Sequence, residues 1–322
     1  MSHAPGSLTN STAEQQLQGL MERVMVSVVT TLPCCVFLFI NFTMLFILRS
    51  KTVFCETSRY ILLYNLLFAD TVMLVLSQSM FLLSNSRMRL TYPVCGVLSM
   101  LGVLTEEISP LNLVVMSLER YVAVCYPLRH ASVVTIRNTV VVILALWAIS
   151  SLNVLTRVIW LLQYPFEDLV TLQMTKLCSA HVLFLLSMSD HYDRAYTCLV
   201  FVSAGVVVIF SYISVMVAAR SATSDKASAR KSRDTLLLHL IQLGLSITAT
   251  IQNPLLMAIS TLVTRIVLVR VQIIFYVFIF IFPRCLSCLI YGIRDQKIRP
   301  LLMHHLCCRP KTQSCQPRLG SF

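Results

Sequence analysis

Residues Val24–Leu48 read VMVSVVTTLPCCVFLFINFTMLFIL, 25 consecutive positions without an Asp, Glu, Lys or Arg. An α-helix rises ~1.5 Å per residue, so about 20 apolar residues cross the hydrocarbon of a bilayer. Six further blocks meet that length: Tyr60–Leu83, Val94–Val124, Asn138–Leu162, Tyr196–Ala219, Thr235–Val263 and Ile266–Tyr291. The fifth and sixth are as free of charge as the first. Across the 322 residues, 57% are hydrophobic and 12% charged, against roughly 25% charged in a soluble domain. An outer-membrane barrel would alternate polarity over segments of about 10 residues, and the blocks do not. The expected fold is an all-α membrane protein, a bundle of seven transmembrane helices.

The basic residues orient it. If the odd-numbered loops and the tail are cytoplasmic, that side holds Arg49, Lys51, Arg59, Arg120, Arg129, Arg137, Arg220, Lys226, Arg230, Lys231, Arg233 and seven more from Arg284 onward, 18 of the 26. The positive-inside rule then puts the N-terminus outside and the C-terminus inside, so the expectation is a multi-pass plasma-membrane protein. The net charge of +12 is divided among short loops facing an anionic leaflet; it points to membrane lipids as partners and not to nucleic acid. The chain divides into an external tail (1–23), a membrane domain (24–291) and a cytoplasmic tail (292–322). The first 23 residues are polar, and the first span is long enough to act as a signal anchor. Asn10-Ser11-Thr12 is a glycosylation sequon in the external tail; Asn41-Phe42-Thr43 matches too but lies inside the first span. Residues Gly292–Leu302 alternate apolar and basic positions at near-helical spacing, as expected of a short amphipathic helix after the last span.

Of the 12 cysteines, Cys95 and Cys178 are clearly external, where an oxidising environment lets them pair. Cys198, just inside the fifth span, is a weaker candidate. Cys307-Cys308 follow the last span as palmitoylation candidates or as free thiols. No phosphate loop, paired glycosidase carboxylates or Cys/His metal cluster is present, so no enzyme, cofactor or metal is expected; His304-His305 near the tail cysteines read as part of a solvated basic tail. The inner loops are too short to fold a catalytic domain.

Ionisable side chains inside a membrane are costly and mark function. Those singled out cluster in three spans: Asp70 in the second; Glu106, Glu107, Glu119 and Arg120 in the third; Arg270 and Arg284 in the seventh. The segment Ser117-Leu118-Glu119-Arg120-Tyr121-Val122-Ala123-Val124-Cys125-Tyr126-Pro127-Leu128-Arg129-His130 resembles the end of the third helix in rhodopsin-like (class A) G-protein-coupled receptors. Its Pro-Leu-Arg extension is similar to the odorant receptor branch. Asn41, Leu66 through Asp70, Trp147, the Cys95/Cys178 pair, Ser211-Tyr212 and the run Leu286 through Asp295 agree with that resemblance, and Pro283-Arg284-Cys285-Leu286-Ser287 looks most like fish odorant receptors. It covers about Asn41 to Leu302.

The departures are specific. Ser287-Cys288 stand where the wider family carries Asn-Pro, and Pro283 lies five residues before Cys288. The sixth span lacks the Trp-x-Pro signature, as odorant receptors generally do. Gly102 stands where amine receptors place an aspartate, which argues against an amine receptor of the usual kind. Pro110 is unusual in the third span and is expected to kink it. Asp70 and Ser109 resemble a sodium site in the wider family, but here the seventh span brings Arg284. Asp70 lies 12 residues beyond Ser58 and Arg284 lies 11 before Asp295, depths of ~18 and ~16 Å by helix rise. These comparable depths lead us to expect an internal ion pair in place of sodium.

What the resemblance implies is a chemosensory receptor that binds a small odorant in an outer pocket and activates a stimulatory heterotrimeric G protein. Glu106, 14 residues before Arg120, falls about 40° from the same helical direction and ~21 Å away. The stripe it shares with Gly102 and Ser109 therefore faces the bundle interior, while Glu107 points to a neighbouring helix. Gly102, Val103 and Glu106 are the candidate ligand contacts. Glu119, Arg120, Tyr121, Tyr212 and Tyr291 are the candidate coupling residues, with Glu119 holding Arg120 at rest. Asn41, Asp70, Ser109, Arg284 and Ser287 form the candidate internal polar network. The rival readings are a non-olfactory class A receptor for a small endogenous ligand and a seven-helix transporter or channel. The latter would favour internal repeats, and none is visible.

Overall fold

A computed structural model describes residues 6–306 except 87, 89, 163–177, 179–186, 222–232, 246, 249–255, 257, 258, 260 and 261. Its helices in chain order are α1 (Gly6–Ser50), α2 (Thr52–Cys55), α3 (Ser58–Asn85), α4 (Tyr92–Cys125), α5 (Pro127–Val133), α6 (Ile136–Leu162) and α7 (Ser187–Ser221). Then come α8 (233–245), α9 (Arg265–Phe275), a π-helical stretch (Tyr276–Ile281), α10 (Phe282–Arg294) and α11 (Ile298–Leu306). Spans one to five are α1, α3, α4, α6 and α7, each long and apolar enough to cross a membrane. The sixth is described mainly through α8, and the seventh is the unbroken helical run from Arg265 to Arg294. This is the seven-transmembrane helix bundle expected from hydropathy.

The bundle is turned inside out relative to a soluble protein. In the most apolar windows of the fourth and fifth spans only 22% of residues are buried. Phe39, Phe42, Phe46, Leu152, Leu199 and Val206 are all exposed; a surface this apolar is stable only against lipid. α4 sits centrally, against α3, α6 and α7. The largest core cluster joins Met44, Ile47, Leu62, Leu66, Leu113, Met116, Cys288, Tyr291, Ile298 and Leu302, which binds spans one, two, three and seven to α11.

Three local outcomes depart from the sequence reading or refine it. The polar N-terminal stretch is helical from Gly6, continuous with the first span, because Glu14-Gln15-Gln16-Leu17 are good helix formers that extend a helix already nucleated within the bilayer. α4 runs unbroken through Pro110; the helix loses the Pro110 N–H, and with it the α-helical donor to the Glu106 carbonyl, without ending. In the seventh span the missing Asn-Pro is replaced by the π stretch directly before Pro283. Proline has no N–H and its ring crowds the carbonyl four residues back, here Ile279; widening that turn to i→i+5 makes room for it.

At the far end from the disulfide, Asp295 organises the exit of the seventh span. Its Oδ1 accepts hydrogen bonds from Lys297 N at 2.9 Å and Ile298 N at 3.3 Å, capping α11. Its Oδ2 accepts one from Tyr60 Oη at 3.1 Å and lies 3.5 Å from Arg59 Nη2. Gly292 lets α11 approach: a Cβ there would collide with Leu302 and come within 3.2 Å of Met44.

Candidate functional site

The third span carries the expected site residues on one stripe, spaced alternately four and three residues: Cys95, Ser99, Gly102, Glu106, Ser109, Leu113, Met116 and Arg120. That spacing keeps one face of a helix toward a neighbour-filled interior. Cys95, Ser99, Ser109, Leu113 and Met116 are buried, but Gly102 and Glu106 are only half-buried, as is Val103 beside them. A Cβ on Gly102 would meet no atom of the described residues within 4 Å. The interior stripe therefore opens between Ser99 and Ser109. Above it, Cys95 and Cys178 form a disulfide with a Cα–Cα distance of 5.7 Å; Cys198 is free and exposed.

Glu107, one residue round the helix, meets other spans. Asn153 of α6 donates to its Oε1 and Tyr196 of α7 to its Oε2, the latter at 3.3 Å. Arg157 Nη2 lies 3.9 Å from Oε1, and Tyr192 donates to Asn153 Oδ1 at 2.9 Å. Arg157, 6% exposed in the fourth span, is an intramembrane cation that the sequence reading passed over. The signal was available: it is the sole charged residue between Asn138 and Leu162.

One turn deeper, Ser109 donates to Asp70 Oδ1, which also lies 3.2 Å from Arg284 Nη1. The guanidinium carbon of Arg284 is 5.8 Å from the Phe280 ring centre, a cation–π distance. Two turns nearer the disulfide on the same pair of spans, Tyr276 donates to Gln78 Oε1 at 3.1 Å, and Gln78 donates to Thr31 of α1 at 2.8 Å. Asn65, Asn112 and Trp147 link spans two, three and four, with Asn65 donating to Asn112 at 3.1 Å and Trp147 to Asn65 at 2.9 Å. Asn41 is fully buried with both amide atoms unpartnered among the described residues, so the second sequon is closed to modification. The Ser287 side chain, Cys307 and Cys308 lie outside what is described, Asn10 is described only as part of the α1 backbone, and Arg270 is exposed.

At the end opposite the disulfide, Arg120 Nε lies 2.6 Å from Glu119 Oε2, and His130 Nε2 lies 3.6 Å from Glu119 Oε1. Tyr121 meets Tyr126 edge to face and Phe210 at a tilt, with ring centres 5.7 and 5.6 Å away. Tyr291 is buried, its hydroxyl 3.1 Å from His239 Nε2. His239 Nδ1 is in turn 3.5 Å from Ser117 Oγ, so one buried imidazole ties spans three, six and seven. Tyr212 is half-buried, on the span that also carries Phe210. Sequence reasoning did not single out His239, a histidine in an otherwise apolar stretch.

Residues 40–315 match the family described as 7 transmembrane receptor (rhodopsin family). Among curated proteins, the chain is 32% identical to Odorant receptor 131-2 of Danio rerio over 274 residues, 85% of this chain and 83% of that one. It is 27% identical to Olfactory receptor 4K2 of Homo sapiens over 192 residues, 58% of each chain. A shorter stretch of 57 residues, 18% of each chain, is 40% identical to Olfactory receptor 2A1/2A42 of Homo sapiens.

Proposed function

Because this chain belongs to the rhodopsin family of seven transmembrane receptors, we propose that it is an odorant receptor that binds a small molecule beneath the Cys95–Cys178 disulfide and activates a stimulatory G protein at the other end. The N-terminus is external, carrying Asn10 as a glycosylation site, and the C-terminus is cytoplasmic, with Cys307 and Cys308 as lipid attachment points. This orientation rests on the distribution of Lys and Arg.

One observation carries the reading: a single inward stripe of the third span is open at Gly102–Glu106 and ends in the Glu119–Arg120 pair. Ser109, Leu113 and Met116 between them are buried. A receptor needs a ligand site, a docking site and a two-state element between them. Ligand at Gly102, Val103 and Glu106 displaces the stripe. The Asp70–Ser109–Arg284 network and the Tyr291–His239 contact transmit the shift to spans six and seven. Arg120 then leaves Glu119 to meet the G protein, with Tyr121, Tyr212 and Tyr291 framing it.

The test is a cyclic AMP screen of water-soluble odorants on cells displaying the full chain. A response that disappears on deleting the stimulatory α subunit, and in Arg120→Ala at matched surface expression, supports the reading. An odorant response carried by ion flux and indifferent to G protein would refute it.

A further inference from the structure

The charges held within the bundle come in matched pairs. Asp70 meets Arg284, Glu107 meets Arg157, Glu119 meets Arg120 and Asp295 meets Arg59, each with a nitrogen within 4.0 Å. Glu106 breaks the pattern. It sits on the inward stripe of α4, half-buried, with no ion-pair or hydrogen-bond partner among the described residues. Its neighbour Glu107 has already taken the arginine. An unmatched carboxylate at this depth is expensive, and two adjacent carboxylates repel each other.

Two further groups on the same helix can accept a hydrogen bond from a ligand. Pro110 follows four residues later, so the Glu106 backbone carbonyl has lost its α-helical donor. Seven residues earlier on the same stripe, Ser99 is 5% exposed and its Oγ has no hydrogen-bond partner among the described residues. Between them is Gly102, with no atom of the described residues within 4 Å of where a side chain would begin. The seven-residue offset places Ser99 within about 20° of Glu106 and ~10 Å nearer the disulfide.

We propose that Glu106 is the counter-ion for a cationic ligand, a small protonated amine whose ammonium rests on the Glu106 carboxylate and carbonyl and whose second polar group reaches Ser99. The proposal rests on the receptor reading for its pocket, and it adds the ligand's charge. Gly102 supplies the volume for the ligand's carbon frame. The ligand thereby supplies the cation that the sequence supplies at every other carboxylate in the set.

The experiment uses the full chain in lipid nanodiscs and in cells, so that binding and signalling are read separately. Probes are pentylamine, 2-phenylethylamine, 1,5-diaminopentane and 5-aminopentan-1-ol, against pentan-1-ol and pentanoic acid at neutral pH. Amines, and not the alcohol or acid, are expected to raise the unfolding temperature. Glu106→Gln is expected to weaken amine binding by about ten- to hundredfold, the scale of a charge-assisted hydrogen bond, and still to fold, since the amide keeps the shape. Ser99→Ala is expected to weaken 5-aminopentan-1-ol by about three- to tenfold and leave pentylamine unchanged. The proposal is overturned if no amine binds the intact protein, if the acid or alcohol binds instead, or if Glu106→Gln binds amines as tightly as the unmodified chain. Amine binding that needs Glu106 but raises no cyclic AMP upholds the cation site and counts against the signalling reading. A response to neutral odorants alone does the reverse.

Discussion

Arg284 is the only cation within 4.0 Å of Asp70 among the described residues, and the two side chains are 4% and 0% exposed. Removing one partner strands the other charge inside the bundle. Asp70→Asn or Arg284→Met should therefore each lower stability by roughly 3–5 kcal/mol, while the double change Asp70→Leu/Arg284→Met should come out near neutral. Thermal unfolding in nanodiscs measures both. With a guanidinium already on Asp70, replacing sodium by N-methylglucamine should leave agonist potency and unfolding temperature unchanged. A clear sodium dependence of the unmodified protein would contradict this.

The disulfide closes a sequence separation of 83 residues. Chain-entropy arguments assign a loop of that size about 4–5 kcal/mol. Cys95→Ala and Cys178→Ala should therefore fall to similar low surface expression, and the double change should be no worse than either alone. Cys198→Ala should be silent. Maleimide labelling before and after reduction should show one protected pair.

Glu107 should behave as a structural residue. Glu107→Ala leaves Arg157 without its carboxylate and Asn153 and Tyr196 without an acceptor, a loss of roughly 3–5 kcal/mol. Tyr196→Phe removes one hydrogen bond and should cost about 1 kcal/mol. At equal surface expression, agonist potency should be unaffected by Tyr196→Phe. A selective loss of potency would place Tyr196 in the ligand site instead.

Glu119→Gln should raise basal signalling. It weakens the hold on Arg120, a partly exposed pair worth up to about 1 kcal/mol, which shifts a two-state equilibrium by up to roughly fivefold. Basal cyclic AMP normalised to surface receptor is the measurement, and an unchanged or lower basal level would argue that the pair does not restrain the resting state.

Sequence and structure agree where a rule needs only length or spacing. Seven spans follow from apolar block length, and the inward stripe from Cys95 to Arg120 follows from 3.6 residues per turn. Spacing on one helix also separated the directions of Glu106 and Glu107. It does not name partners on other helices, because those depend on how each helix is rotated in the bundle. Asn153 and Tyr196 around Glu107, Gln78 beneath Tyr276, and His239 beside Tyr291 were invisible for that reason, whereas Arg157 stood out as the sole charge of its span and only its partner did not. Arg284 and Asp70 were legible only because both charges lay at matching depth. The π stretch was not legible at all; Pro283 marked the place but not the way the backbone would answer it.

That stretch makes chain length itself a specified quantity. Tyr276 and Arg284 both reach the second span, at Gln78 and Asp70, positions eight residues apart on each side. An i→i+5 turn holds one more residue than an α turn. Eight residues of plain α-helix turn through about 800° and would leave the two side chains about 80° apart, whereas with one residue taken up in the wide turn the rotation is about 700°, within about 20° of two full turns. The wide turn is therefore what lets Tyr276 and Arg284 face the second span together. One residue added between them would swing everything beyond it by about 100°, and one of the two partners would be lost whatever the identities. A single-codon insertion here should therefore be more damaging than a single-codon deletion, which ordinary α-helix takes up with both ends still facing the second span.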